Sequence, residues 1–269
     1  DNQVISHVKW IFYRSDQQNG IKKGTLIIEP SDEQGCMQIY YDQPWTSDGE
    51  IKNTITHLIF KKATINNKVV PVTLESVEKY EDLFNSLPTV NVIDLRGLAF
   101  AYKDIAGSFN YAGCKANAVF SGDKNLHTLI FDRNLTFERA CNFSSMFNGC
   151  WNLKHILCKD YNDDLSDYEK NHPECDLSGL ANFNTKRATD MSSMFHQCFS
   201  MTDFKFSDYP NFDTSKVKKF NSMFTAVNTS LAQTDIFNIV DGQLKGLSGS
   251  FNLRKLDLSS FDTSSAQDM

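Results

Sequence analysis

The sequence predicts an α/β solenoid: a right-handed coil with a parallel β-sheet on its concave side and short helices on its convex side, preceded by a small β-rich cap. Three observations predict it. First, an apolar helix face recurs. In FNTKRATDMSSMFHQCFS, beginning at Phe183, the residues Ala188, Met191, Met194, Phe195 and Cys198 fall at i, i+3, i+6, i+7 and i+10, which is one side of a helix of 3.6 residues per turn. The same offsets occur at Val77 to Leu87, Ala140 to Cys150 and Val217 to Val227, with a poorer copy from Tyr102 to Ala112. Second, a strand triplet of the form apolar-x-x-apolar-x-apolar recurs at Ile55, Val90, Leu126, Leu153, Met201 and Leu253, and weakly at Leu231. Its last three residues alternate as a half-buried strand does. Third, the phase is kept: the strand opens six residues after the helix phenylalanine at Val90, Leu153 and Met201. Self-similarity of this kind marks stacked repeats, each too small to bury its own apolar face.

Residues 1–50 lack the repeat. Val8 to Phe12, Gly24 to Ile28 and Cys36 to Tyr40 are short β-rich runs bounded by Asn19-Gly20, Glu29-Pro30 and Gln43-Pro44. They predict a small antiparallel sheet that caps the first repeat's apolar end and strand edge. Residues 51–269 hold about six to seven repeats, of which the Leu126 repeat is the most compact and the last stops at Met269 with its helix barely begun. In the Leu153 repeat the polar, acidic segment 159–174 separates strand from helix and reads as an insertion, expected as a surface loop. The linkers Phe212-Asp213-Thr214-Ser215 and Phe261-Asp262-Thr263-Ser264 match, with Phe183-Asn184-Thr185 a looser version. Their first residue is expected to plug a corner of the core, and the Asp, Thr and Ser to accept hydrogen bonds from the N-terminus of the following helix.

Composition narrows the functional classes. The chain of 269 residues is 41% hydrophobic and 22% charged, which suits a folded protein with a substantial core. A net charge of −6 and no Lys/Arg block give nucleic acid no general attraction. No apolar run approaches the roughly 18 residues of a membrane span, and the polar start Asp1-Asn2-Gln3 is not a signal peptide; processing would leave the same start, so the compartment stays open. The seven cysteines show no C-x-x-C and no zinc spacing with histidine, so neither a metal nor a disulfide framework is assigned. Cofactors are expected to be none. There is no G-x-S-x-G, P-loop or dinucleotide fingerprint, and the expectation is that the protein is not an enzyme.

Leu256-Asp257-Leu258-Ser259-Ser260-Phe261-Asp262-Thr263-Ser264 followed by Asp268-Met269, and Thr189-Asp190-Met191-Ser192-Ser193-Met194-Phe195-His196-Gln197-Cys198, resemble the repeat of the BspA-like leucine-rich-repeat surface proteins of bacteria. The lead-in Gly24 to Ile28, Pro44-Trp45, Ile51 and Leu58-Ile59-Phe60 is similar to theirs. The resemblance is strong from about 126 to 269 and implies a leucine-rich-repeat coil, exported to the cell surface, in a family some of whose members are taken to be adhesins. It carries no catalytic residues over.

In such a coil the outward strand positions stack in ladders along a concave sheet, the extended surface solenoids use for binding. The expected central ladder is Ile59, Asp94, Ile130, Leu157, Lys205 and Asp257, flanked by His57, Thr128, His155, Asp203 and Lys255. Ile130 and Leu157 on neighbouring strands form a candidate contact patch unless the insertion or a loop covers them. A mixed ladder suits a protein or glycan ligand of a host or neighbouring cell. A weaker candidate is calcium at Asp160, Asn162 and Asp164, whose alternating oxygens are typical of a calcium loop, although Leu165 stands where that loop needs Gly. The functional expectation is a cell-surface, adhesin-like binding protein. The alternatives are a passive spacer and, less favoured, an enzyme.

Overall fold

The computed structural model describes residues 2–5, 7–38, 43–75, 82–101, 114–137, 139–163, 174–225, 238–240, 243–245 and 255–269. The weak strand triplet at Leu231, the poorer helix copy from Tyr102 to Ala112 and the first half of the Val77 copy fall outside these residues.

The principal sheet has seven strands: β1 (Asn2–Ile5), β2 (Val8–Tyr13), β3 (Thr25–Pro30), β4 (His57–Phe60), β5 (Val92–Asp94), β6 (Thr128–Phe131) and β7 (His155–Cys158), and their order in the sheet is their order in the chain. β1 to β3 are antiparallel, and from β3 onward every neighbour is parallel. Leu58, Ile93, Leu129 and Ile156 share one register line and are fully buried. The sheet crosses residue 50 without a break through the β3–β4 pairing.

Beyond β7 the ladder changes. The chain returns from the insertion to form a single parallel bridge, Asp176 to His155, with the Ile156 N–H donated to the Asp176 carbonyl at 2.8 Å. The segment then passes so close to β7 that a Cβ on Gly179 would lie 2.7 Å from the Ile156 carbonyl oxygen. β8 (Asp203–Lys205) pairs instead with β9 (Lys255–Asp257) in a separate two-stranded sheet. The expected central ladder therefore breaks after Leu157: Lys205 and Asp257 are partners of one another but not members of the principal sheet.

The expected helices on the convex side are not helices. Described residues at all four good copies fold as a stack of turns, Ala140–Asn142 opening one of them as a short strand. Two positions in each turn explain why. The residue two before the phenylalanine has φ of 54° to 58° in all five turns, at Asp82, Ala118, Ser145, Ser193 and Ser222. The residue two after it has φ of 58° to 80° in four, at Ser86, Gly122, Gly149 and Gln197. Left-handed residues four apart cannot lie in a right-handed helix. The amides turn outward to the next turn instead: Ala118, Phe120 and Gly122 donate to Ser144, Met146 and Asn148; Ser145, Phe147 and Gly149 to Ser192, Met194 and His196; Ser193, Phe195 and Gln197 to Asn221, Met223 and Thr225, all between 2.7 and 3.0 Å. Residues in between close three-residue turns, such as Met194 N–H to the Met191 carbonyl. An i, i+3 apolar spacing satisfies this arrangement as well as a helix, so the described residues of the expected faces are still buried, Phe224 in part.

This geometry piles like on like. Phe84, Phe120, Phe147, Phe195 and Phe224 stack with centroids 5.5, 5.5, 5.6 and 5.8 Å apart and planes within 16° of parallel. Each such pair is worth about 0.5–1.5 kcal/mol beyond area burial. Trp45 closes the column at its first end, 5.6 Å from Phe84, with its indole N–H donated to the Leu83 carbonyl. It is placed there by two short helices, α1 (Pro44–Ser47) and α2 (Gly49–Thr54), the second capped by the Asp48 carboxylate on the Glu50 and Ile51 amides. The linkers form turns rather than helix caps: Asn184, Asp213 and Asp262 each accept the N–H two residues on, as Asn142 and Asp190 do within the turn stack. Buried Thr185 and Thr214 tie each corner to the next through the Asp213 and Asp262 carbonyls. One cluster of buried side chains runs from Val8 to Met223.

The position three after the phenylalanine holds Leu87, Asp123, Cys150 and Cys198, all buried. The two thiols donate to the Phe120 and Phe147 carbonyls of the preceding turn. Asp123 accepts the Leu87 N–H through Oδ1 at 2.6 Å, while its Oδ2 is buried without a partner. Burial pushes this carboxyl well above the ordinary range, against the smaller opposing pulls of the Leu87 amide and Lys52.

Two predictions follow from the turn stack. Because Ser193 has φ +55°, Ser193→Gly should be more stable than Ser193→Ala by about 1 kcal/mol in urea unfolding, whereas a helix would give the reverse order by a similar amount. Because the folded state favours neutral Asp123, its contribution is complete below the unfolded pKa of about 3.9 and is lost as pH rises through the raised folded value. Asp123→Asn should therefore show a flatter loss of stability from pH 4 upward than the parent; equal slopes would contradict the assignment.

Candidate functional site

The sheet registers decide which outward residues meet. Ile59, Asp94, Ile130 and Leu157 form one continuous line across β4 to β7. His57, Val92, Thr128 and His155 form the flanking one. In the second sheet Asp203 opposes Lys255 and Lys205 opposes Asp257.

The apolar pair on this line is not exposed. Leu157 is 0% and Ile130 3% accessible, and Asp94 and His155 are also buried. Both ends of the insertion are fastened to this side of the sheet. At its start, Lys159 N–H binds the Phe131 carbonyl and a tight loop forms in which Asp163 N–H binds the Asp160 carbonyl and Asp163 Oδ2 accepts the Asp160 N–H. Arg96 grips that loop: its Nη1 donates to the Asp160 and Asp163 carbonyls at 3.1 and 2.8 Å, while Nε and Nη2 hold the Asp94 carboxylate. Burial alone would lower the Arg96 pKa, but pairing with Asp94 outweighs it and the net shift is upward. At the other end, Glu174 offers its carbonyl to His155 Nε2 at 3.0 Å.

Tyr161 carries the loop farther. Its hydroxyl accepts the Lys62 N–H at 2.8 Å and donates to the Lys62 carbonyl, 99 residues earlier, while the Lys62 ammonium lies 4.7 Å from its ring centroid. Lys62 also pairs with Asp132 at 3.0 Å. Burial pushes the Asp132 carboxyl up, but the Asn134 amide and Lys62 together bring it below its ordinary value. Lys62, Arg96, Asp132 and Asp160 each stand one or two residues past the end of an apolar strand triplet. The loop is thus a strap lying along the carboxyl ends of four parallel strands. The exposed Arg133–Asp160 pair adds little.

Of the three calcium candidates, two lie among the described residues. The Asp160 carboxylate is paired with Arg133, Asn162 is exposed, and Asp164 lies outside the described residues. Among the described residues no three His, Cys, Asp or Glu side chains stand together as a metal site. His127 and His155 rings meet edge to face at 4.8 Å with the Thr128 hydroxyl beside both. The described cysteines Cys36, Cys141, Cys150, Cys158, Cys175 and Cys198 are free thiols. The outward ladder residues left accessible are His57, Ile59 and Val92 in part and the β8–β9 set of Asp203, Lys205, Lys255 and Asp257. Sequence reasoning missed the Arg96 and Tyr161 contacts; aligning the residues just past each strand, Lys62, Arg96, Asp132 and Asp160, would have shown two cations followed by two anions on neighbouring rungs.

Among the described residues no helix is long and apolar enough to cross a membrane. Residues 163–269 match the family model described as "Mycoplasma protein of unknown function, DUF285". No curated protein and no solved structure matches the chain.

Proposed function

We propose that this chain is a leucine-rich-repeat-type solenoid of the BspA-like kind, acting at the bacterial cell surface as a non-enzymatic, adhesin-like binder of a macromolecule on a host or neighbouring cell. The observation that carries the reading is the stacking itself. Turn laid on turn fills the interior with phenylalanine and sets every outward side chain in a ladder with the spacing of one rung, about 4.8 Å. Ladders of that kind build surfaces long enough for a polymeric or folded partner. The genus in the matched family's description supports a bacterial setting.

The burial of Ile130 and Leu157 moves the contact surface away from the apolar pair. In its place stands the β8–β9 ladder, where Asp203 faces Lys255 and Lys205 faces Asp257 in crossed alternation. Asp257 is partly exposed and held below its ordinary pKa by Ser259 and Ser207, so it remains charged under ordinary conditions. The passive-spacer reading is favoured by one observation, that Ile130 and Leu157, the apolar pair on the sheet's outward line, are buried.

The test is binding of the purified chain to immobilised host matrix proteins and glycans, beside Lys205→Glu/Lys255→Glu. The expected result is binding to at least one ligand that falls about tenfold in the variant, as for paired rim charges. No binding by the parent to any of them would favour the spacer. Ile130→Asp/Leu157→Asp should instead unfold the protein, since it buries two unpaired charges.

A further inference from the structure

Two of the free thiols stand on adjacent rungs of the turn stack. Asn142 bridges Asp190 and Phe147 stacks on Phe195, and the same register sets Cys150 beside Cys198. The two preceding turns hold Leu87 and Asp123 at this place, so the thiols meet between one pair of turns in the described stack. Neighbouring rungs lie about 4.8 Å apart, inside the Cα separation of roughly 4.4–6.8 Å that a disulfide spans.

One of the two side chains is turned toward that bond. Each thiol is aimed one turn back, Cys150 Sγ at the Phe120 carbonyl at 2.9 Å and Cys198 Sγ at the Phe147 carbonyl at 3.1 Å. Phe147 lies in the turn of Cys150, so the Cys198 thiol points at the turn it would join. Closing the pair asks Cys150 to rotate away from Phe120, at the loss of one weak S–H bond. Access sets the order of events, since Cys198 is 9% accessible and Cys150 0%. Burial pushes both thiols above their ordinary pKa, so the pair reacts slowly.

We propose that Cys150 and Cys198 are an oxidisable pair that closes into a disulfide between consecutive turns when the chain meets a low-molecular-weight disulfide. The Cys198 sulfur gives up its proton and attacks one sulfur of the reagent; a mixed disulfide forms, the reagent's S–S bond breaks, and one reagent thiol leaves with that proton. The Cys150 sulfur, deprotonated in turn, attacks the Cys198 sulfur of the mixed disulfide, and the second reagent thiol leaves with the Cys150 proton. Two protein thiols are oxidised and one small disulfide is reduced to two thiols. The chain between the two cysteines carries the whole of β7 and the insertion, so the bond closes a long loop and favours the folded state. The inference rests on the turn register and not on the adhesive reading, although an oxidising exterior is where such a bond persists.

The experiment incubates the whole chain, purified in its reduced form, with excess oxidised glutathione, and reads it by peptide mapping without reductant and by thermal unfolding. A linked Cys150–Cys198 peptide pair is expected, with a rise in Tm of roughly 5–10 °C that dithiothreitol reverses. Cys141→Ala, outside the pair, should gain as much as the parent, whereas Cys198→Ala should gain nothing; if Cys198→Ala does not fold, the parent's peptide map decides alone. The proposal is overturned if Cys150 and Cys198 are recovered unlinked, if either is joined to a different cysteine, or if a folded Cys198→Ala gains the same Tm on oxidation.

Discussion

The hydrogen bond that the rest of the structure depends on runs between turns, from alternate amides of one to carbonyls of the next. Phe147 N–H to the Met194 carbonyl is one instance, at 2.9 Å, and its neighbours Ser145 and Gly149 repeat it. A parallel ladder of this kind forces adjacent turns to share a cross-section, so a side chain at one level has its counterpart directly above. Phenylalanine then stacks on phenylalanine, threonine bonds corner to corner, and the buried thiols reach carbonyls one turn back. The cost is paid in backbone conformation: two left-handed residues per turn, each unfavourable by about 1–2 kcal/mol when it is not glycine. Glycine lowers that cost at Gly122 and Gly149 only; elsewhere stacking and the inter-turn bonds must offset it.

Much of the strand layer was legible in the sequence. The register line Leu58, Ile93, Leu129, Ile156 follows from period-two alternation and the constant step from phenylalanine to strand. The helices were misread because apolar residues at i, i+3 and i+7 satisfy a stack of three-residue turns equally well. The discriminating signal was polar and small: Ser145, Ser193 and Ser222 sit two before the phenylalanine, where a helix gains nothing from serine and a left-handed turn tolerates it. The break after Leu157 was hidden because Asp176 occupies a rung inside what reads as a linker. The strap was hidden for a different reason, since Tyr161 and Lys62 are brought together only by the stacking of four strands.

That strap changes what the sheet can do. Four strand ends present Lys62, Arg96, Asp132 and Asp160 in a row; Lys62 pairs with Asp132, Arg96 with Asp94 and Asp160 with Arg133, while the loop from Asp160 to Asp163 gives its carbonyls to Arg96 and Tyr161 clasps Lys62. The Asp94–Arg96 pair is largely buried, so removing one partner would leave the other charged and desolvated. The apolar residues Ile130 and Leu157 belong to the protein's interior, not to its contact surface. In the proposed reading recognition falls to the charged β8–β9 pair, where one-rung spacing rather than a shaped cavity would set what fits.

The phenylalanine column tests this account most directly. With selectively protonated phenylalanine in a deuterated chain, ring-to-ring nuclear Overhauser effects should connect Phe84 to Phe120, Phe120 to Phe147, Phe147 to Phe195 and Phe195 to Phe224, in that order. Rings that contact only residues of their own turn, or a Phe84–Phe147 contact that bypasses Phe120, would contradict it.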